Sequence, residues 1–442
     1  MSIWDELGFR ENPFSTDPVP PNEEGLRLLV GRGKELARLR MSLTSSMNHT
    51  TIEGANGVGK TSLVGIAAFT LLQDYQLDRS KPMYIPVQRP FQISATESAA
   101  DFSTSFLIAL AREISTRRAM ISEHHSGLRN LDDLDTWLND PVLTSGGGGV
   151  NVLGVGVSGN ISRSANNGQG FVKGGVEAHL REMLSAIFPN ARAGGFVCVL
   201  DNLELLDTSA KARATLEELR DGVLSFPGVK WVLCGARGIL RSVVSTPRLQ
   251  GKLTDPLELN ALGPEAITEV IRARLELYKM RANAYTPIEA DGFRHIYRIG
   301  NHNLRIALKY CEDFVFWCML NDNRPESAED KFGLLDAWFA HVAEEALTST
   351  MDVTPRAWKL FDEIAERPEG CSPGDFEDFG FNSGPAMQPH LRTLEQARLI
   401  DSTTADTDRR RKTINLTTRG WIVRYHRCGY QLPPEAQELQ LM

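Results

Sequence analysis

The sequence predicts an α/β P-loop core on a parallel sheet, then an all-helical unit, then a C-terminal winged-helix unit. Three observations carry this. Gly54-Ala-Asn-Gly-Val-Gly-Lys-Thr61 fits G-x-x-x-x-G-K-[ST], between a strand-compatible run (49–53) and an apolar, helix-compatible one (62–72). The continuous apolar runs at 195–200 and 229–234 have the character of strands buried on both faces. From Pro264 onward the apolar spacing becomes helical.

The chain's 442 residues leave room for about two to four domains. A net charge of -8 excludes a molecule that holds nucleic acid through its overall charge, so any such contact needs a local patch. No basic segment leads into an apolar run at the start, and no apolar run approaches ~18 residues, so neither a secretory signal nor a membrane span is expected. The six cysteines are scattered, without a C-x-x-C pair, which fits a reducing cytoplasm. The nine histidines lack metal-ligand spacing, so no protein-held zinc is expected.

Residues 1–30 are loop-rich. Asn12 to Pro21 carries four prolines and sustains neither a helix nor a central strand. This segment is well placed to cover a nucleotide base, and a plain surface loop is the alternative. The core is set at 31–262. In the Gly54–Thr61 loop, glycines let the backbone N–H groups of Asn56, Gly57, Val58 and Gly59 turn inward, and the following helix offers its positive end. Lys60 then reaches the β- and γ-phosphates, Thr61 ligates Mg²⁺, and Ser62 completes the cradle. Residues 82–87 form a second strand and 98–120 a long helix with Phe106, Leu107, Leu110 and Ile114 on one face. The Gly/Val-rich stretch at 144–174 reads either as a flexible insertion or as a protruding β-hairpin through Val150/Val152 and Val155/Val157.

The run at 195–204 ends in acid. Asp201, at the carboxyl end of a buried parallel strand, is the candidate Mg²⁺ carboxylate opposite Thr61, and Glu204 is the candidate for polarising the attacking water. A helix cap is the alternative role for Asp201. The strand at 229–237 delivers Arg237 to the phosphates or, alternatively, to solvent. A short strand at 257–260 closes the sheet, and 263–350 forms the helical unit. Residues 351–430 contain three helical patterns and two extended segments, 399–404 and 412–416, which is a winged-helix pattern; 431–442 is a tail. Charge segregates there: seven acids and one base in 360–380, nine bases and four acids in 390–430. Arg409, Arg410, Arg411 and Lys412 at the hairpin tip are the candidate DNA contacts, and a solvated turn on a protein-docking module is the alternative.

Taken together these motifs resemble AAA+ ATPases, in particular the replication-initiator (origin-recognition) clade and the related bacterial STAND-type ATPases. The resemblance implies an ASCE-type parallel sheet, ATP with Mg²⁺ as ligands, and a helical lid at 263–350. It implies that Asn12-Pro-Phe14 and Val30-Gly-Arg32 pack over the adenine. It further assigns Arg237 as first sensor, Arg305 in Gly300-Asn-His-Asn-Leu-Arg305 as second sensor, and Arg248 as an arginine finger acting on a neighbouring copy. The expected partners are copies of the chain in a ring or filament and duplex DNA, in DNA transactions or mobile-element and phage defence. The competing expectation is a regulatory switch that binds an effector protein and no DNA. Two features depart from the family pattern. Asn202 follows Asp201 where a Glu is usual, which implies slow hydrolysis unless Glu204 substitutes, and Pro389 falls inside the candidate recognition helix, suggesting that this helix starts there.

Overall fold

The computed structural model describes residues 2–93, 97–124, 142–146, 161–165, 173–190, 192–203, 209–236, 238–348, 350, 352–367, 371, 373–404 and 412–431. Its main sheet is parallel and contains β1 (Thr50–Glu53), β2 (Met83–Pro86), β3 (Phe91–Gln92), β6 (Gly194–Asp201), β7 (Val229–Gly235) and β8 (Leu257–Glu258). The strand order is β2-β6-β7-β1-β8, with β3 extending the pairing of β6. The strand bearing Asp201 is therefore separated from the strand feeding the phosphate loop by β7 alone. That order is the one expected of an ASCE-type P-loop core.

Alternating side chains explain why both faces are covered. On β6 and β7, Phe196, Cys198, Leu200, Trp231 and Leu233 face one core with Phe102, Phe106 and Leu184. Val197, Val199, Val232 and Cys234 face the opposite core with Leu63, Val64 and Ala67 of the phosphate-loop helix, Lys60–Leu77. Trp231 is fully buried and donates its indole N–H to Val223 O at 3.1 Å, so its polar edge is satisfied inside an aromatic cluster with Phe91 and Phe106.

The sequence expectations differ from the structure at several elements. The helix expected over 98–120 is two helices, Ala99–Thr116 and Arg118–His124, because the backbone departs from helical geometry at Arg117. Residues 1–30 contain two short helices, Ile3–Leu7 and Glu23–Leu28, started by the side chains of Ser2 and Asn22. β4 (Val142–Gly146) and β5 (Ile161–Ala165) pair antiparallel, and the expected hairpin valines 150–157 lie outside the described residues.

The lid consists of helices Pro264–Tyr278, Ala290–Ile299, Leu304–Leu320 and Ala328–Thr348. The start of the chain belongs to its core: Trp4, Leu7, Phe9 and Phe14 are buried with Phe293, Phe314 and Trp338. The backbone confirms the attachment. Phe9 bridges to Lys279, Arg10 N–H donates to Tyr278 O at 2.9 Å, and Tyr285 N–H donates to Leu7 O at 2.8 Å.

The C-terminal unit contains helices Pro355–Ala365, Gly384–Gln396 and Thr418–Arg427, with the hairpin β9 (Ile400–Thr404) and β10 (Lys412–Leu416) between the last two. Cys371 adds a single antiparallel bridge to Ile414. The helix expected near 373–379 is one 3-10 turn, Pro373–Asp375. The helix around Pro389 does not start at that proline. It begins at Gly384, capped by the Ser383 side chain, and continues through Pro389, which removes one N–H from its ladder. The last helix couples two cores, since Ile422 and Tyr425 join the lid while Trp421 and Val423 join the C-terminal unit.

Candidate functional site

The phosphate loop emerges from β1 at Gly54. A Cβ there would lie 2.6 Å from Leu259 O, so only glycine allows this close approach. Gly57 and Gly59 have φ of 80° and 98°, which turns the loop before the helix starts at Lys60. Val58 is buried and anchors the loop in the core beneath it. Lys60 Nζ donates to Gly54 O at 2.8 Å and Ala55 O at 3.2 Å, which holds the ammonium within the loop.

Thr61 Oγ1 donates to Asp201 Oδ2, and Asp201 Oδ1 accepts the Asn202 backbone N–H at 2.9 Å. A hydroxyl and a carboxylate beside a phosphate cradle form the hard oxygen set that Mg²⁺ takes together with phosphate oxygens. The residues present therefore fit the expected ATP and Mg²⁺. Asn202 has φ 57°. Asn is among the residues that adopt this left-handed geometry most readily.

The cleft over the loop is lined by Thr16, Pro18, Val19, Val30, Leu262, Arg274 and Leu308, besides Asn56 to Ser62, Asp201, Asn202, Arg32 and Arg305. The fold thus brings the phosphate-loop residues, Asp201, Arg32 and Arg305 to one cleft. One placement differs from expectation, and two cleft-lining side chains also carry bonds within the protein. Phe14 does not line the cleft: it is 1% exposed and packs on Trp4 with ring centroids 6.0 Å apart. The turn it occupies is closed by Asn12, whose Oδ1 accepts Phe14 N–H while its Nδ2 donates to Glu312 of the lid at 2.7 Å. Arg32 is buried, and its guanidinium donates to Val58 O at 3.2 Å, Asn260 O at 2.7 Å and Glu35 at 3.2 Å. Arg32 therefore ties the phosphate loop to the segment just after β8 while lining the cleft. Ser62 Oγ accepts the Val19 N–H at 3.1 Å, which fastens the N-terminal segment over the helix.

Arg305 sits in the first turn of the lid helix Leu304–Leu320, at the rim of the cleft. Arg248 does not reach the cleft. Its side chain is 72% exposed and pairs with Glu217 at 3.4 Å. Glu204, Arg237, Arg409, Arg410 and Arg411 lie outside the described residues, as does the Lys412 side chain.

Three residues that line the cleft or tie the elements around it together went unrecognised in the sequence. Arg274 is 6% exposed and donates to Pro13 O and Ser15 O, both at 3.0 Å, so the N-terminal loop hangs from a lid helix. Burial pushes its pKa below the ordinary arginine value. Glu53, 2% exposed, accepts the Arg241 N–H at 2.8 Å and joins the β1 end to the segment after β7. Asn303 caps the lid helix and donates to Asn56 O at 2.7 Å. An Asn just before an apolar helical period was the available signal for the last of these.

Among the described residues no helix is long and apolar enough to cross a membrane, and no cluster of potential metal ligands occurs. No family model matches the chain, and no curated protein matches it. Among solved structures, the following are similar to this chain. The ORC1 protein of Aeropyrum pernix in complex with DNA is 14% identical, with a TM-score of 0.45 and coverage of 92% of this chain and 93% of that one. The Walker-type ATPase of Pyrococcus abyssi is 13% identical, with a TM-score of 0.47 and coverage of 93% and 99%. The Drosophila ORC bound to DNA is 13% identical, with a TM-score of 0.44 and coverage of 93% and 89%.

Proposed function

We propose that this chain is an ATP-binding and slowly hydrolysing AAA+ switch that assembles with its own copies and docks duplex DNA through its C-terminal unit. The carrying observation is the opposition of Thr61 and Asp201 beside Lys60, beneath a lid helix that begins on the phosphate loop. Lys60 would hold the terminal phosphates, Thr61 and Asp201 would hold Mg²⁺, and the apolar side of the cleft, Val19, Val30, Leu262 and Leu308, would take the base. Bound Mg²⁺ supplies charge neutralisation across the phosphate oxygens. Asn202 cannot accept a proton from water, so Glu204 is the candidate for that step and turnover is slow without it. Arg237 and Arg305 are the candidate sensors. Arg248, exposed and outside its own cleft, is available to a neighbouring copy; a charge supplied in trans is worth a factor of ~10³ or more in rate.

The C-terminal unit would act as a winged helix, with Arg409, Arg410, Arg411 and Lys412 as its basic tip. DNA transactions, with mobile-element or phage defence as the candidate setting, follow from that reading. One observation favours the second reading, a switch that controls a partner protein. Arg419, Arg424 and Arg427 are bound within the molecule, to Ala346 O, Ala365 O and Asp362 respectively. The exposed face of helix Gly384–Gln396 offers Pro385, Ala386, Pro389, Arg392 and Gln396, a single cation.

Sedimentation and duplex-DNA binding at low salt, each with ATP, with a non-hydrolysable analogue and without nucleotide, separate the two readings. ATP-dependent assembly with DNA affinity supports the first. Assembly without DNA affinity, together with nuclease-insensitive co-purification of a protein, supports the second. Loss of neither property in Lys60→Ala contradicts both.

A further inference from the structure

Asn303 holds two elements with one side chain. Its Oδ1 accepts the N–H groups of Arg305 at 3.1 Å and Ile306 at 3.2 Å, which caps the 17-residue helix Leu304–Leu320. Its Nδ2 donates to Asn56 O, at the outer bend of the phosphate loop, at 2.7 Å. The fit is tight. A Cβ on Gly57 would lie 2.5 Å from Asn303 Oδ1 and 2.9 Å from Arg305 Cβ, so the lid rests directly on loop backbone.

The turn that presents Asn303 is held just as firmly. Asn301 and His302 are both left-handed, with φ of 52° and 57°. The His302 ring is buried edge-on against Tyr297, with centroids 5.4 Å apart. Tyr297 Oη accepts the Leu262 N–H at 3.0 Å, and Leu262 is where the core passes into the lid and also lines the cleft. The chain Leu262–Tyr297–His302–Asn303–Asn56 thus runs from the hinge to the loop.

We infer that the Asn303 amide is a latch: it holds the lid closed on the phosphate loop and sets how long bound nucleotide stays. Asn303 is a positioning residue, acting through the Asn56–Gly57 backbone and through the placement of Arg305. The inference deepens the proposed ATP site and rests on it. Opening the lid breaks the Nδ2 bond while leaving the cap intact, so the two functions of the side chain are separable.

The test uses the full-length protein and Asn303→Ser, with Asn303→Asp alongside. Ser and Asp both cap helices well, and neither can donate to Asn56 O in the same way. Thermal denaturation verifies that both variants fold with a retained cap. Stopped-flow release of a fluorescent ATP analogue should be about tenfold faster in Asn303→Ser, the size expected for one lost hydrogen bond. Asn303→Asp adds a charge beside the phosphates, so its excess release should shrink with added salt whereas that of Asn303→Ser should not. Hydrogen exchange of the Asn56–Gly59 amides without nucleotide should also be faster in Asn303→Ser. Wild-type release rates in Asn303→Ser overturn the latch while leaving the ATP site standing. Absence of nucleotide binding to the wild type removes the ATP reading, and unchanged exchange in Asn303→Ser then overturns the loop contact by itself.

Discussion

Thr61 and Asp201, 140 positions apart in the chain, share a hydrogen bond from hydroxyl to carboxylate where the phosphate-loop helix starts beside the end of β6. This pair defines the proposed metal position. Asp201→Asn keeps the shape and removes the charge. Mg²⁺-dependent ATP affinity should fall about tenfold to a hundredfold, as for loss of a charge-assisted contact, with little change in affinity measured in excess chelator. Titration calorimetry with and without Mg²⁺ checks this, and equal losses under both conditions would count against the assignment.

Arg32 predicts a stability effect. Arg32→Met leaves Val58 O and Asn260 O without the donor that now serves them inside the core. The expected cost is about 2–4 kcal/mol, read from chemical denaturation. Arg32→Lys should recover only part of it, because an ammonium cannot span both carbonyls and Glu35.

Gly57→Ala should cost nucleotide affinity through geometry alone. Its φ of 80° is unfavourable for alanine, and the new methyl would meet Asn303 and Arg305. About a tenfold or greater loss of ATP affinity is expected, from backbone strain together with the lost lid contact. Equilibrium binding by fluorescence anisotropy measures it; unaltered affinity would show that the lid does not bear on the loop in solution.

The C-terminal cations should divide into two classes. Arg427 stacks over Trp358, 4.1 Å from the ring centroid, and pairs with Asp362 at 2.9 Å. Arg427→Ala should destabilise this unit by about 1 kcal/mol and leave any DNA salt dependence unchanged. Arg392 is exposed on helix Gly384–Gln396. If DNA lies there, Arg392→Ala should lower the log–log salt slope by about 0.9. Binding isotherms across salt concentrations, with melting curves, separate the classes.

Acid should weaken the fold through two buried histidines. His49 accepts the Trp231 N–H at Nδ1 and bonds Leu224 O through Nε2; burial lowers its pKa from 6.5 to about 4. Burial lowers His302 in the same direction, also to about 4. Both are neutral in the folded state, and the unfolded chain takes up their protons first. Their contribution is therefore complete above pH 6.5 and declines as pH falls toward 4. At pH 5 each should cost about 2 kcal/mol. Denaturation midpoints at pH 7, 6 and 5 read the slope, and His302→Asn, which tolerates the left-handed backbone, should flatten it.

The parts legible in the sequence were those whose chemistry is local. Gly54 to Thr61 announce their turn through residue type, and the β6 and β7 runs announce burial on both faces through unbroken apolarity. Asp201 followed because the end of such a strand is where ligands sit. The N-terminal segment was legible only as irregular. Its attachment to the lid depends on Arg274 and Glu312, which lie 261 positions beyond Pro13 and 300 beyond Asn12. Phe14 reads in the sequence as a base contact, yet it is buried against Trp4 in the lid core.

The sequence by itself determined the phosphate cradle, the order of α/β core before helical units, and the sign of charge along the C-terminal unit, because each is encoded in neighbouring residue types. Tertiary structure alone decided which charges remain available. Arg32 and Arg274 are bound to buried carbonyls, Arg427 lies on a tryptophan, and Asn303 reaches the loop from 247 positions away. A guanidinium or amide carries the same donors wherever it stands. Only packing fixes which acceptors come within about 3 Å of it, and hence whether it holds the fold together or meets a ligand.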